Sequence, residues 1–65
     1  MKYSQWKRKL EELGFVFPQG VFCTKGDMWI CFDVYPYIAA YKKVIIIEFK
    51  KWDEFMSFYQ KYSQL

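Results

Sequence analysis

Four β-branched residues in succession, Val44 to Ile47, followed by Glu48 and Phe49, constrain the fold more than any other stretch. Branching at Cβ stiffens χ1 and crowds a helical turn, so "KVIIIEF" reads as a strand. Alternation then places Ile45, Ile47 and Phe49 on one face and Val44, Ile46 and Glu48 on the other. Both faces are apolar. A chain that carries this strand needs cover for one side of its sheet and an explanation for the other.

Cover is available at both ends. "YSQWKRKLEELGF" reads as a first helix: Ser4 is placed to cap it, Trp6, Leu10 and Leu13 recur at helical spacing, and Gly14 before Phe15 is a left-handed stop. Its charges oppose the helix dipole, with Lys7, Arg8 and Lys9 early and Glu11 and Glu12 late. "KKWDEFMSFYQKY" reads as a second helix with Trp52, Phe55, Met56, Tyr59 and Tyr62 on one stripe, Asp53 and Glu54 in its first turn and Lys61 in its last.

Between the helices "FVFPQGVFCT" is broken by Pro18 and Gly20 into a turn or bulge. "TKGD", residues 24 to 27, is a hairpin turn with Gly26 at a position of positive φ, and "MWICFDV" follows as a strand. The expectation is one α+β domain over residues 1–65, helix, three or four antiparallel strands, helix, in α-β-β-β-α order with both helices on one sheet face. In "MWICFDV" Ile30, Phe32 and Val34 then share one face and Trp29, Cys31, Asp33 and Tyr35 the other, so the outer face keeps large apolar groups whichever set meets the helices.

Size sharpens the point. A domain this small buries only about 60% of the surface its unfolded chain exposes, and seven Phe, six Tyr and three Trp are more than its core easily encloses, each ring burying roughly 150–250 Å². Some rings are therefore expected at the surface. "VYPYIAAYKK", residues 34 to 43, reads as a connection between strands, yet carries Tyr35, Tyr37 and Tyr41. Either these rings close the end of the sheet or they are offered to a partner.

The charged N-terminus lacks a signal peptide's apolar stretch, and the longest apolar run, Val34 to Tyr41, contains a proline and is too short to span a bilayer. The expectation is a cytoplasmic protein without membrane contact. Abundant Lys, Ile, Phe and Tyr, with no His or Asn, suit an A/T-rich bacterial or phage genome. Cys23 and Cys31 are too few for a secreted disulfide scaffold and read as reduced, buried or half-buried hydrophobes.

Catalytic equipment is sparse. Without histidine there is no Ser-His or Cys-His pair, and two cysteines alone cannot build a tetrahedral zinc site. Gly14, Gly20 and Gly26 stand apart and form no phosphate-binding loop. Asp33 and Glu48 are the remaining candidates, as a carboxylate pair that could hold a divalent cation or as solvent-facing strand residues. The expectation is no enzyme, no cofactor and no metal.

What remains is binding. Net charge is +3, from nine lysines and Arg8 against seven carboxylates. Lys7, Arg8 and Lys9, with Lys42 and Lys43 and with Lys50 and Lys51, would make a nucleic-acid surface if they converged beside the tyrosines; otherwise they are solvated lysines. The element order is also that of double-stranded-RNA-binding domains and of small mRNA-cleaving toxins of the HicA type, and "LEELGF…TKGD", Leu10 to Asp27, resembles the latter. Asp27 and Met28 stand where that family keeps its histidine, and the RNA-binding family's Gly-Pro-x-His loop is missing, so the resemblance implies a shared fold and RNA affinity without cleavage.

The leading expectation is a small protein-binding module that inhibits a larger host or defence protein by steric occlusion, similar in size and composition to phage anti-defence proteins such as anti-CRISPRs. Tyr35, Tyr37, Tyr41, Trp29 and Ile46 would form its patch, with Lys42 and Lys43 as a polar rim. The alternative is an RNA-binding domain. A homodimer through the outer sheet face is compatible with either.

Overall fold

The computed structural model of the chain describes residues 1–64. Helix α1 (Tyr3–Leu13) leads into strands β1 (Val16–Gln19), β2 (Phe22–Lys25), β3 (Met28–Cys31), β4 (Tyr37–Tyr41) and β5 (Ile45–Phe49), and the chain closes with helix α2 (Trp52–Tyr62). All neighbours pair antiparallel, in sheet order β1-β2-β3-β4-β5. The α+β class and helix-sheet-helix order are as expected, but the sheet has five strands rather than three or four.

The additional strand comes from the tyrosine segment. Residues 37–41 are not a connection but β4, flanked in the sheet by β3 and β5. The sequence holds a strand pattern there: Tyr37, Ala39 and Tyr41 alternate with Ile38 and Ala40, and Pro36 stands just before the strand, where it removes no ladder hydrogen bond. The Pro18 and Gly20 interruption resolves into two strands, with a register slip between Val16 and Gln19 in β1 and positive φ at Gly20. Gly26 also has positive φ, as the "TKGD" turn requires.

Helix ends follow local chemistry. Gly14, at φ 103°, stops α1 and sends Phe15 into the core. Ser4 is not the cap: the N-cap is Lys2, whose backbone N–H donates to Gln5 Oε1 at 2.8 Å. At α2 the same service is done by Glu54, whose Oε1 accepts from the Lys50 and Lys51 N–H groups at 2.8 and 2.9 Å. These are the reciprocal half of a capping box, in which the side chain of the third helical residue reaches back to orphan donors.

Both helices pack on one sheet face. Trp6 and Leu10 of α1, Phe55 and Phe58 of α2, and Cys23, Met28, Ile30, Ala39 and Phe49 of the sheet form one buried cluster. Trp6 is its hub, with ring centroids 5.4–5.7 Å from Phe32, Tyr37, Phe49 and Trp52, separations at which tilted aromatic pairs attract. Phe58, outside the stripe expected for α2, is buried with Phe55. Among the described residues no helix is long and apolar enough to cross a membrane.

Candidate protein-binding face

The face turned away from the helices is built by strand register. Partner to partner, one row runs Val16, Thr24, Trp29, Ala40, Ile46 and the next runs Gln19, Phe22, Cys31, Ile38, Glu48. Nothing from α1 or α2 enters the buried cluster on this side. Seven of the ten positions are apolar. Ile46 is 58% and Val16 61% exposed, whereas the small Ala40 is fully buried between its row neighbours Trp29 and Ile46. Phe22 and Trp29 lie with ring centroids 5.9 Å apart.

Beside these two rings lies a groove of about 470 Å³, walled by Phe22, Thr24, Trp29, Asp27, Lys42 and Lys43 among others. The turn that carries the lysines is held to the β2–β3 turn by the Lys42 N–H, which donates to the Asp27 carbonyl at 2.9 Å. Lys42 and Lys43 have φ of 55° and 61°, a left-handed conformation that L-residues other than Gly, Asn and Asp rarely adopt. The Val44 N–H closes the turn onto the Tyr41 carbonyl at 3.2 Å, and Val44 is 82% exposed at its corner.

The expected patch divides. Trp29 and Ile46 lie on the bare face and Lys42 and Lys43 at its rim. Tyr37 and Tyr41 lie on the opposite, helix-covered side, packed against the core: Tyr37 meets Trp6, Phe32 and Phe49, and Tyr41 stacks on Tyr62 at 5.3 Å. The reason is β4 itself, since alternation turns odd-numbered residues inward. Tyr35 is 64% exposed in the β3–β4 connection, its ring 5.0 Å from Tyr37. Phe22 and Ile38, members of the bare face, were not singled out from sequence; the period-2 pattern of β4 would have exposed Ile38.

The basic clusters divide: those of α1 and of Lys50 and Lys51 meet where Lys9 reaches Trp52, while Lys42 and Lys43 stand apart. Lys42 and Lys43 sit at one end of β5 and Lys50 and Lys51 at the other, with the whole strand between them. Lys9 lies over the Trp52 ring at 4.9 Å and Lys7 over Phe17 at 5.5 Å, while Arg8 is exposed. Cation–π contacts of this kind contribute about 0.5–1 kcal/mol at exposed sites, comparable with the dipole penalty of early positive charge on α1. Asp33 lies in the loop after β3 and Glu48 in β5, with β4 between those strands. Among the described residues no group of three His, Cys, Asp or Glu could hold a metal ion.

The cysteines fall on opposite sides of the sheet: Cys23 pairs with Ile30 on the helix face and Cys31 with Phe22 on the bare face. Both are free. Burial pushes the Cys23 thiol up to about 12, which removes the reactive thiolate near neutral pH. Compared with known proteins, the chain matches no family model, no curated protein and no solved structure.

Proposed function

We propose that this protein is a non-enzymatic binding module whose bare sheet face docks on a larger folded protein and occludes it. The observation that carries the reading is the asymmetry of the sheet. One face is covered by two helices, and the other carries Phe22, Trp29, Ile38 and Ile46 with no helix over them among the described residues. Contiguous exposed apolar surface rimmed by charge is the usual composition of an interface, with aromatic anchors at its centre. Lys42 and Lys43 at the groove favour a partner whose rim is acidic. Action against a host defence system is the biological setting that small size and lysine-rich composition suggest.

The deciding experiment is capture from the native host by tagged protein, with and without nuclease, using wild type and Trp29→Ala. A stoichiometric protein that survives nuclease and is lost with Trp29→Ala supports the reading. Recovery of nucleic acid alone, with affinity falling steeply between about 50 and 200 mM salt, overturns it in favour of RNA binding. A homodimer through the bare face would instead appear as a doubled mass that Trp29→Ala abolishes.

A further inference from the structure

Of the three tyrosines in the segment 34–43, Tyr35 joins neither the core nor the bare face. It is 64% exposed in the β3–β4 connection, its neighbour Val34 is 50% exposed, and Asp33 beside them is exposed as well. Among the described residues, the exposed large apolar side chains that stand within two positions of a carboxylate are Val34, Tyr35 and Ile46, and Ile46 lies in the plane of the sheet as part of β5. A loop can enter a groove where a strand within its sheet cannot. Asp33–Tyr35 is therefore the chain's own projecting unit of ring and negative charge.

The groove on the bare face is its chemical complement. Phe22 and Trp29 supply an aromatic wall, and two lysines, Lys42 and Lys43, stand against one carboxylate, Asp27. Lys42 Nζ lies 5.4 Å from the Tyr41 ring, so Lys43 is the ammonium left for an incoming anion. A single carboxylate beside a ring suits this wall, whereas an extended polyanion would meet Asp27 as well. Loop and groove lie at opposite ends of β3: the groove reaches the turn before Met28, and the loop follows Cys31. A chain cannot fill its own groove, so the occupant is the loop of another copy.

We propose that the protein self-associates head to tail, the Asp33–Tyr35 loop of one copy docking in the groove of the next, with Tyr35 against Phe22 and Trp29 and Asp33 beside Lys43. The arrangement is heterologous: each added copy leaves one loop and one groove unfilled at the ends, so it does not close as a two-fold dimer does. One loop in one groove buries less than a standard interface, which makes the association weak and concentration dependent. The inference goes beyond the protein-binding reading and does not depend on it.

Sedimentation velocity from about 10 μM to about 1 mM protein, the range of weak association, tests it. Wild type is expected to pass beyond dimer as concentration rises. Tyr35→Ala and Lys43→Glu, both at exposed positions, are each expected to weaken association at least about tenfold with an unchanged circular dichroism spectrum. An equimolar mixture of the two is expected to form a dimer that grows no further, because Tyr35→Ala keeps an intact groove and Lys43→Glu an intact loop. Asp33→Lys combined with Lys43→Glu in one chain is expected to restore association, since the charge pair is reversed. Wild type that stays monomeric throughout, a closed dimer that Tyr35→Ala leaves intact, or a mixture no more associated than its components each overturns the proposal. Tyr35 lies off the bare face, so Tyr35→Ala is expected to retain a captured partner while losing self-association, and the two readings fail separately.

Discussion

At the residue scale, the side of the sheet on which a ring lies decides its role. Trp6 is 2% exposed and touches four other rings, so Trp6→Ala removes about 3–5 kcal/mol, comparable with the whole stability of so small a domain. Circular dichroism of this variant is expected to show no cooperative melt. Tyr37→Ala is expected to lower stability by about 2–4 kcal/mol for the same reason, whereas Tyr35→Ala, 64% exposed, changes it by less than about 1 kcal/mol. The order of urea midpoints tests this, with Tyr37 far below Tyr35. Treating the tyrosines as one group hid the distinction, because a loop imposes no alternation and a strand does.

Glu54 adds a pH dependence at the same scale. Hydrogen bonds from the Lys50 and Lys51 N–H groups, followed by the nearby Lys51 and Lys50 charges, hold its carboxyl below the ordinary value of 4.5. A depressed folded value means the stabilisation is fully present above the ordinary value and is lost as pH falls through the depressed one. Wild type is therefore expected to exceed Glu54→Gln in urea midpoint at neutral pH, and the gap is expected to close as the pH falls below the ordinary carboxylate range. A gap that persists unchanged in acid would assign the effect to something other than this charge.

At the element scale, the β4–β5 turn is a local misfit. Two successive lysines occupy left-handed backbone, at φ 55° and 61°, in the connection 42–44 between the paired Tyr41 and Ile45, a conformation that Asn and Gly adopt at little steric cost. Lys42→Asn with Lys43→Gly is expected to stabilise the protein by about 1–2 kcal/mol, a rise of roughly 4–8 °C in Tm per kcal/mol. The same variant is expected to lose affinity for an acidic partner, because it removes the rim charges. Local strain kept where binding needs a particular side chain is a common pattern.

The elements themselves were unequally legible. The helices and β5 announce themselves through stripes at helical spacing and four β-branched residues. The five-residue β4 carries two alanines, has a proline at its border and begins in a run of surface-like tyrosines. Its strand character comes from pairing with β3 and β5 on both sides, information that lies outside the segment.

At the scale of the whole molecule, the two-sided sheet makes a prediction of its own. Cys23 is fully buried among the helices and Cys31 is partly accessible on the bare face, so a maleimide is expected to label one thiol in the folded protein and both in denaturant. Protection of Cys31 by the captured partner would place that partner on the bare face. Unchanged labelling would move the contact elsewhere.

The sequence by itself determined the α+β class, both helices, the glycine stop at Gly14, the hairpin at Gly26 and the apolar character of both sides of β5, because each depends on residues within a turn or two of one another. Only the tertiary structure decided that the sheet has five strands, that Tyr37 and Tyr41 pack against the core, that Phe22 and Ile38 join Trp29 and Ile46 on the open face, and that Lys42 and Lys43 lie apart from the other basic residues. Those outcomes depend on register between strands distant in the chain, and a shift of one residue in that register exchanges the two faces of a sheet.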